Sequence, residues 1–170
     1  MNLIELIFST DFLYMWIRVA TPILLASLGA VICTKAGVVN LGLEGIMLIS
    51  ALAGVLGSAF GGSLWIGLLT GLLASVAVSA VFAYFHLVLK ANNVLCGTAV
   101  NTMASGLTVF VLQLATGEKG NSSSLKSFSF PNVDIPIIKD IPVLGGILSG
   151  HNALTYLALA MVVVIWFFLY

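Results

Sequence analysis

The chain has 170 residues, of which 61% are hydrophobic and 7% charged, and its six basic and six acidic side chains cancel. Soluble domains carry about a quarter charged residues because something must face water. This composition therefore excludes an ordinary soluble domain and makes the bilayer the solvent for most of the chain, while the lack of net positive charge or any basic cluster excludes nucleic acid as a partner.

The N-terminal stretch is apolar but lacks the basic lead of a secretory signal; its first charges, Glu5 and Asp11, are acidic, so it reads as retained. A helix needs roughly 20 mostly apolar residues to cross about 30 Å of hydrocarbon, and runs at 12–34, 38–60, 64–89, 94–116 and 152–170 meet that need. They predict an all-α polytopic membrane protein of about five transmembrane helices, with a broken second helix region and one long external loop. The whole of 1–170 is expected to form a single transmembrane domain.

In the first run Arg18 lies near one end, where its stem can snorkel to the interface or serve as a partner for Glu44. Cys33 follows Ile32, a branched residue where a lipoprotein cleavage site needs a small one. Cys33 and Cys96 sit in or beside apolar runs and read as small hydrophobes rather than a metal site; nothing requires a disulfide.

The second run contains Asn40-Leu41-Gly42-Leu43-Glu44-Gly45. An acidic group at mid-helix costs up to about 2.5 to 3.5 kcal/mol, against about 0.3 to 0.6 returned by each Leu or Ile, so Glu44 should face protein or water. Asn40 and Glu44 are four apart and share a face if the segment is helical. Gly37, Gly42 and Gly45 each weaken a helix by about 1 kcal/mol relative to alanine. Together they predict a break, which at membrane depth is tolerated where the freed backbone lines a cavity or packs on protein. Glu44 then either lies on a solute pathway or forms a structural ion pair with Lys35 or a neighbouring helix near the headgroups.

Gly61-Gly62-Ser63 turns the chain tightly into the third run. There Gly67, Gly71, Ser75, Ser79 and Ala83 recur every fourth residue, a ladder of small side chains that lets another helix backbone approach. Lys90-Ala91-Asn92-Asn93 leads into the fourth run, where Thr98, Asn101, Thr102, Ser105 and Thr108 recur at spacings of three and four as one polar stripe. Such groups either bond across to a neighbouring helix or line an aqueous route for a polar solute. Asn101 is the most telling of them. The candidate substrate-pathway residues are thus Asn40, Glu44, Thr98, Asn101, Thr102 and Ser105, and the helix-packing residues Gly67, Gly71, Ser75 and Ser79.

The connection 117–151 holds three consecutive serines from Ser122 and prolines Pro131, Pro136 and Pro142. It predicts a polar external loop with a short re-entrant or amphipathic piece around 141–148. The last run ends in aromatics suited to an interface with no basic anchor after them, so the chain reads as half of a larger protein, its N-terminal portion, or as a truncated reading frame. Lys35 and Lys90 fall on one side of a five-span path and mark it cytoplasmic, which places the N-terminus outside and the C-terminus inside. His86 and His151 stand apart from carboxylates and thiols, no nucleophile sits beside a base, and no Gly-x-x-x-x-Gly-Lys-Ser/Thr loop is present. The residues predict neither an enzyme nor a nucleotide or metal site.

The stretch Ala36-Gly37-Val38-Val39-Asn40-Leu41-Gly42-Leu43-Glu44-Gly45-Ile46-Met47 closely resembles the signature of the ABC-importer permeases that serve nucleosides. These belong to a wider group with ribose-type sugar and branched-chain amino-acid permeases. Ala91-Asn92-Asn93-Val94-Leu95-Cys96-Gly97-Thr98-Ala99-Val100-Asn101 looks like the family's next marked region, followed by Ser105-Gly106-Leu107-Thr108, and Ala20-Thr21-Pro22 opens the first helix as in many relatives. The sequence departs from the pattern at Asn93, where relatives often carry Glu or Gln, and at Cys96, where many carry Ser. The resemblance implies an all-helical permease of the bacterial cytoplasmic membrane. It also implies a second permease subunit, ABC ATPase subunits that bind the ATP, and an extracellular lipoprotein that delivers nucleoside; no cofactor is implied in this chain. Two alternatives stand beside it: a small non-transport assembly subunit or passive channel, and a permease of the same group carrying sugar or branched-chain amino acid.

Overall fold

The computed structural model describes residues 9–117, 122, 124–133 and 149–169. Within them the chain forms helices α1 (Thr10–Lys35), α2 (Leu43–Gly61), α3 (Leu64–Ala83), α4 (Asn93–Thr116) and α5 (Ala153–Leu169), with a π-helical turn at Tyr84–Val88 and two short strands, β1 (Asn132–Val133) and β2 (His151–Asn152). Four helical stretches, Phe12–Lys35, Leu43–Gly61, Leu64–Val88 and Asn93–Thr116, are long and apolar enough to cross a membrane, while α5 is a shorter apolar helix. Most of their large apolar side chains are exposed in the chain alone, Phe167 and Phe168 at 81% and 88%, as expected of helices solvated by lipid or by further protein. The piece expected around 141–148 lies outside the described residues.

The chain divides into two compact units, one of residues 32–129 and one of residues 1–31 with 130–170. In the first, α2 and α3 form a hairpin whose turn is made by Gly62 at φ +63° and by Ser63, in extended conformation at the start of α3. The two helices approach through small residues. A methyl group built on Gly67 would lie 2.6 Å from Ser58 Cβ and 2.8 Å from the Gly54 carbonyl oxygen, and one on Gly71 would lie 3.0 Å from the Ser50 carbonyl. Thr70 adds a polar rung, its hydroxyl 3.0 Å from the Ala53 carbonyl. Ser75 and Ser79, lower on the same ladder, are half-buried, and Ser75 donates to the Leu72 carbonyl of its own helix at 2.8 Å. Beyond Gly117, the Phe128 N–H donates to the buried Ser58 hydroxyl at 2.9 Å, tying that part of the long connection to α2.

Helix ends follow from local chemistry. α1 stops at Gly37, whose φ of +86° few other residues adopt; the Gly37 and Val38 N–H groups return to the Thr34 and Cys33 carbonyls, both at 3.0 Å, a Schellman closure. α3 widens into the π turn, with the Leu89 N–H on the Tyr84 carbonyl at 3.2 Å, and ends at Lys90, held at φ +50°. α4 is capped by Asn92, whose side chain accepts from the Val94 N–H at 2.9 Å.

In the other unit, β1 and β2 pair antiparallel, Asn132 with Asn152 and Val133 with His151, closing the base of the long connection. His151 is 1% exposed and stacks on Tyr14 of α1 with ring centroids 4.2 Å apart and planes at 8°. The Tyr14 hydroxyl donates to the Gly150 carbonyl at 2.7 Å, and deeper along the pair the Thr21 and Thr155 hydroxyls meet at 3.1 Å. Tyr14→Phe keeps the stacking and removes that donor. It should destabilise the unit by about 1 kcal/mol, the net worth of one hydrogen bond, read as a lower unfolding midpoint by tryptophan fluorescence.

Candidate functional site

The second apolar run does not become helical where its hydropathy begins. Residues 38–40 carry no regular structure, 41 and 42 form a turn, and α2 starts only at Leu43. Asn40 and Glu44 therefore do not share a helix face as a continuous helix would have required: Asn40 precedes the helix, and its side chain accepts from the Gly42 N–H at 3.0 Å. The break has a visible cause in α4. Asn101 accepts from the Gly45 N–H at 2.8 Å and donates to the Leu41 carbonyl at 3.0 Å. About two turns earlier on α4, the Asn93 amide donates to the Val39 carbonyl.

Two glycines let the backbones come this close. A methyl group on Gly45 would lie 2.8 Å from the Val100 carbonyl oxygen and 3.0 Å from Asn101 Oδ1, and one on Gly97 would lie 2.6 Å from Leu41 Cβ and 2.9 Å from the Leu41 carbonyl carbon. On the opposite side Phe82, only 4% exposed, covers Gly42 and stacks on His86 at 6.4 Å. The lead-in to α2 is thus fixed between α3 and α4.

Glu44 sits in the first turn of α2 and is exposed. Among the described residues no hydrogen bond or ion pair holds its carboxylate. The position suits an acidic side chain, since the positive end of the helix dipole lies there. Arg18 and Lys35 are exposed.

The expected stripe on α4 divides. At roughly 100° per residue, Asn101 and Thr108 fall on the face that holds the buried Gly97 and Ala104, whereas Thr98, Thr102 and Ser105 fall together on an adjacent face and are exposed. Their hydroxyls donate to carbonyls of their own helix: Thr98 to Val94 at 3.0 Å, Thr102 to Thr98 at 2.9 Å and Ser105 to Thr102 at 2.9 Å. Each oxygen keeps lone pairs free to accept from a passing donor. Gly97 and Phe82 contribute to the site without having been singled out in the sequence; only the position of Gly97 one turn before Asn101 hints at a close approach. Among the described residues no group of three or more His, Cys, Asp or Glu could hold a metal ion.

Residues 12–170 match the family of permease components of branched-chain amino acid transport systems. Relatives include a putative glucose ABC transporter permease, TsgC13 of Haloferax volcanii, 36% identical over 96% of this chain and 49% of its own length. The guanosine ABC transporter permease NupQ of Bacillus subtilis is 35% identical over 89% of this chain and 49% of its own. The nucleoside ABC transporter permease NupC of Lactococcus lactis is 31% identical over 99% of this chain and 53% of its own. The chain thus spans about half the length of these relatives, and no solved structure matches it significantly. With nearly all of its length matched and four helical stretches among the described residues long and apolar enough to span a bilayer, the chain is a multi-pass membrane protein and belongs to the permease family of the branched-chain amino acid transport type.

Proposed function

We propose that the chain is part of the membrane-spanning subunit of an ATP-driven ABC importer that passes a nucleoside or similar small polar solute across the cytoplasmic membrane. It acts as a conduit rather than as an enzyme. Relatives named for guanosine and nucleoside transport support the cargo. The observation that carries the mechanism is the exposed Glu44 carboxylate beside a helix break clamped from two sides. A charge so costly in hydrocarbon is retained where a polar solute must be met. Asn40 and Asn101 fix the break, and Thr98, Thr102 and Ser105 offer acceptors along the neighbouring helix.

In this reading an ABC ATPase subunit, a second permease subunit and an extracellular substrate-binding lipoprotein complete the transporter. Residues 1–170 form the N-terminal portion of its single transmembrane domain. Lys35 and Lys90 face the cytoplasm, and the N-terminus and the 117–151 loop face outward. Labelled nucleoside uptake by the complete transporter tests the pathway: Glu44→Gln, which removes the charge and keeps the shape, should lower uptake about ten-fold or more with the amount of membrane protein unchanged. Unchanged uptake would remove Glu44 from the pathway.

The relative named for glucose supports a second reading, in which the same route carries a sugar. Competition by unlabelled guanosine against unlabelled glucose separates the two.

A further inference from the structure

In an α-helix the N–H of each residue bonds the carbonyl four residues before it. Gly45 and Leu41 are such a pair, and both of their groups are engaged by one side chain. Asn101 Oδ1 takes the Gly45 N–H at 2.8 Å and Asn101 Nδ2 gives to the Leu41 carbonyl at 3.0 Å. The amide of α4 is spliced into the hydrogen-bond ladder of α2 at the place where the next helical bond would close. The bond one step further on, from the Ile46 N–H to the Gly42 carbonyl at 3.0 Å, is an ordinary helical one, so the ladder begins immediately after the pair that Asn101 engages. A side chain inserted into the ladder is a recognised cause of a helix break, and an amide suits it because it donates and accepts in one plane.

We propose that Asn101 is a positioning residue: its inserted amide holds the first turn of α2 open, and thereby sets where the neighbouring Glu44 presents its carboxylate. The role of Glu44 rests on the pathway reading above; the splice does not. With the amide withdrawn, the Gly45 N–H and Leu41 carbonyl satisfy each other directly and α2 gains residues at its start. Ordinary helix cohesion makes no such forecast, since there the loss of Asn101 would simply loosen α4 from α2.

Substitutions of different size separate these cases. Asn101→Ala leaves room for the turn to close, so no buried group is orphaned and the folded amount stays within about two-fold of the parent. Asn101→Leu fills the gap with carbon and keeps the two backbone groups apart and unpaired, so the folded amount falls about ten-fold. The accessible readout is the thiol introduced by Glu44→Cys in the intact transporter with Cys33→Ser and Cys96→Ser, labelled in membranes by a charged methanethiosulfonate. Adding Asn101→Ala should change its labelling rate about ten-fold, as expected if the turn has closed. Equal loss of folded protein with Ala and Leu, or a labelling rate that Asn101→Ala leaves unmoved, overturns the splice. Altered labelling with normal nucleoside uptake upholds the splice and overturns the pathway role of Glu44.

Discussion

Replacing Gly57 with alanine is expected to destabilise the α2–α3 hairpin by about 3 kcal/mol, at the upper end of ordinary overpacking. The added methyl would lie 1.9 Å from Thr70 Oγ1, 2.8 Å from Thr70 Cβ and 2.9 Å from Thr70 Cγ2. A threonine is stiff about its first torsion, and three of its atoms are in the way, so no rotamer clears the space and the helices must separate. Separation also draws the Thr70 hydroxyl off the Ala53 carbonyl. Against this stands the intrinsic preference of helices for alanine, worth about 1 kcal/mol, which is too small to change the sign. The preference is seen alone at Gly106, where a methyl group would meet nothing within 4 Å; Gly106→Ala should be neutral or slightly stabilising. Unfolding followed by tryptophan fluorescence in detergent checks both. The added Thr70→Ala exchange should recover part of the loss at Gly57 and thereby show that the coupling is local.

The second large effect is expected at Gly97. Here the obstacles to a methyl group include the carbonyl carbon of Leu41 at 2.9 Å and the Gly42 nitrogen at 3.1 Å. Backbone atoms have no rotamer to escape into, so Gly97→Ala must push the lead-in to α2 away from α4 and stretch both bonds made by Asn101. A loss of about 3 kcal/mol in stability should accompany at least about a ten-fold loss of uptake. If Gly97→Ala transported normally at normal abundance, residues 41–45 and α4 would not need their close contact for function.

Much of the helical pattern was legible because hydrophobic run length reports directly on a bilayer-spanning helix. The turns at Gly61-Gly62-Ser63 and at 90–93 were legible because their residue types favour turns. The break before α2 was legible in Gly37, Gly42 and Gly45, but the residue at which the helix begins was not, because Leu41 and Leu43 are as apolar as the run that follows them. What stops the helix is an amide 60 positions away in sequence. The stripe on α4 showed the same limit: spacing marked Thr98, Asn101, Thr102, Ser105 and Thr108 as neighbours, but only the packed partner decides which are covered. Asn101 and Thr108 face protein, while Thr98, Thr102 and Ser105 remain open.

The two compact units differ in how their sequence is distributed, and this sets an order for biogenesis. Residues 32–129 are contiguous, so the α2–α3 hairpin and α4 can assemble as soon as they leave the ribosome. The other unit joins the beginning of the chain to residues beyond 130, and its Tyr14 to Gly150 bond spans 136 positions. It must wait for late synthesis and closes the larger loop. During that interval α1 resides in the membrane without α5, which makes it the element most dependent on lipid or on an insertion chaperone for shelter.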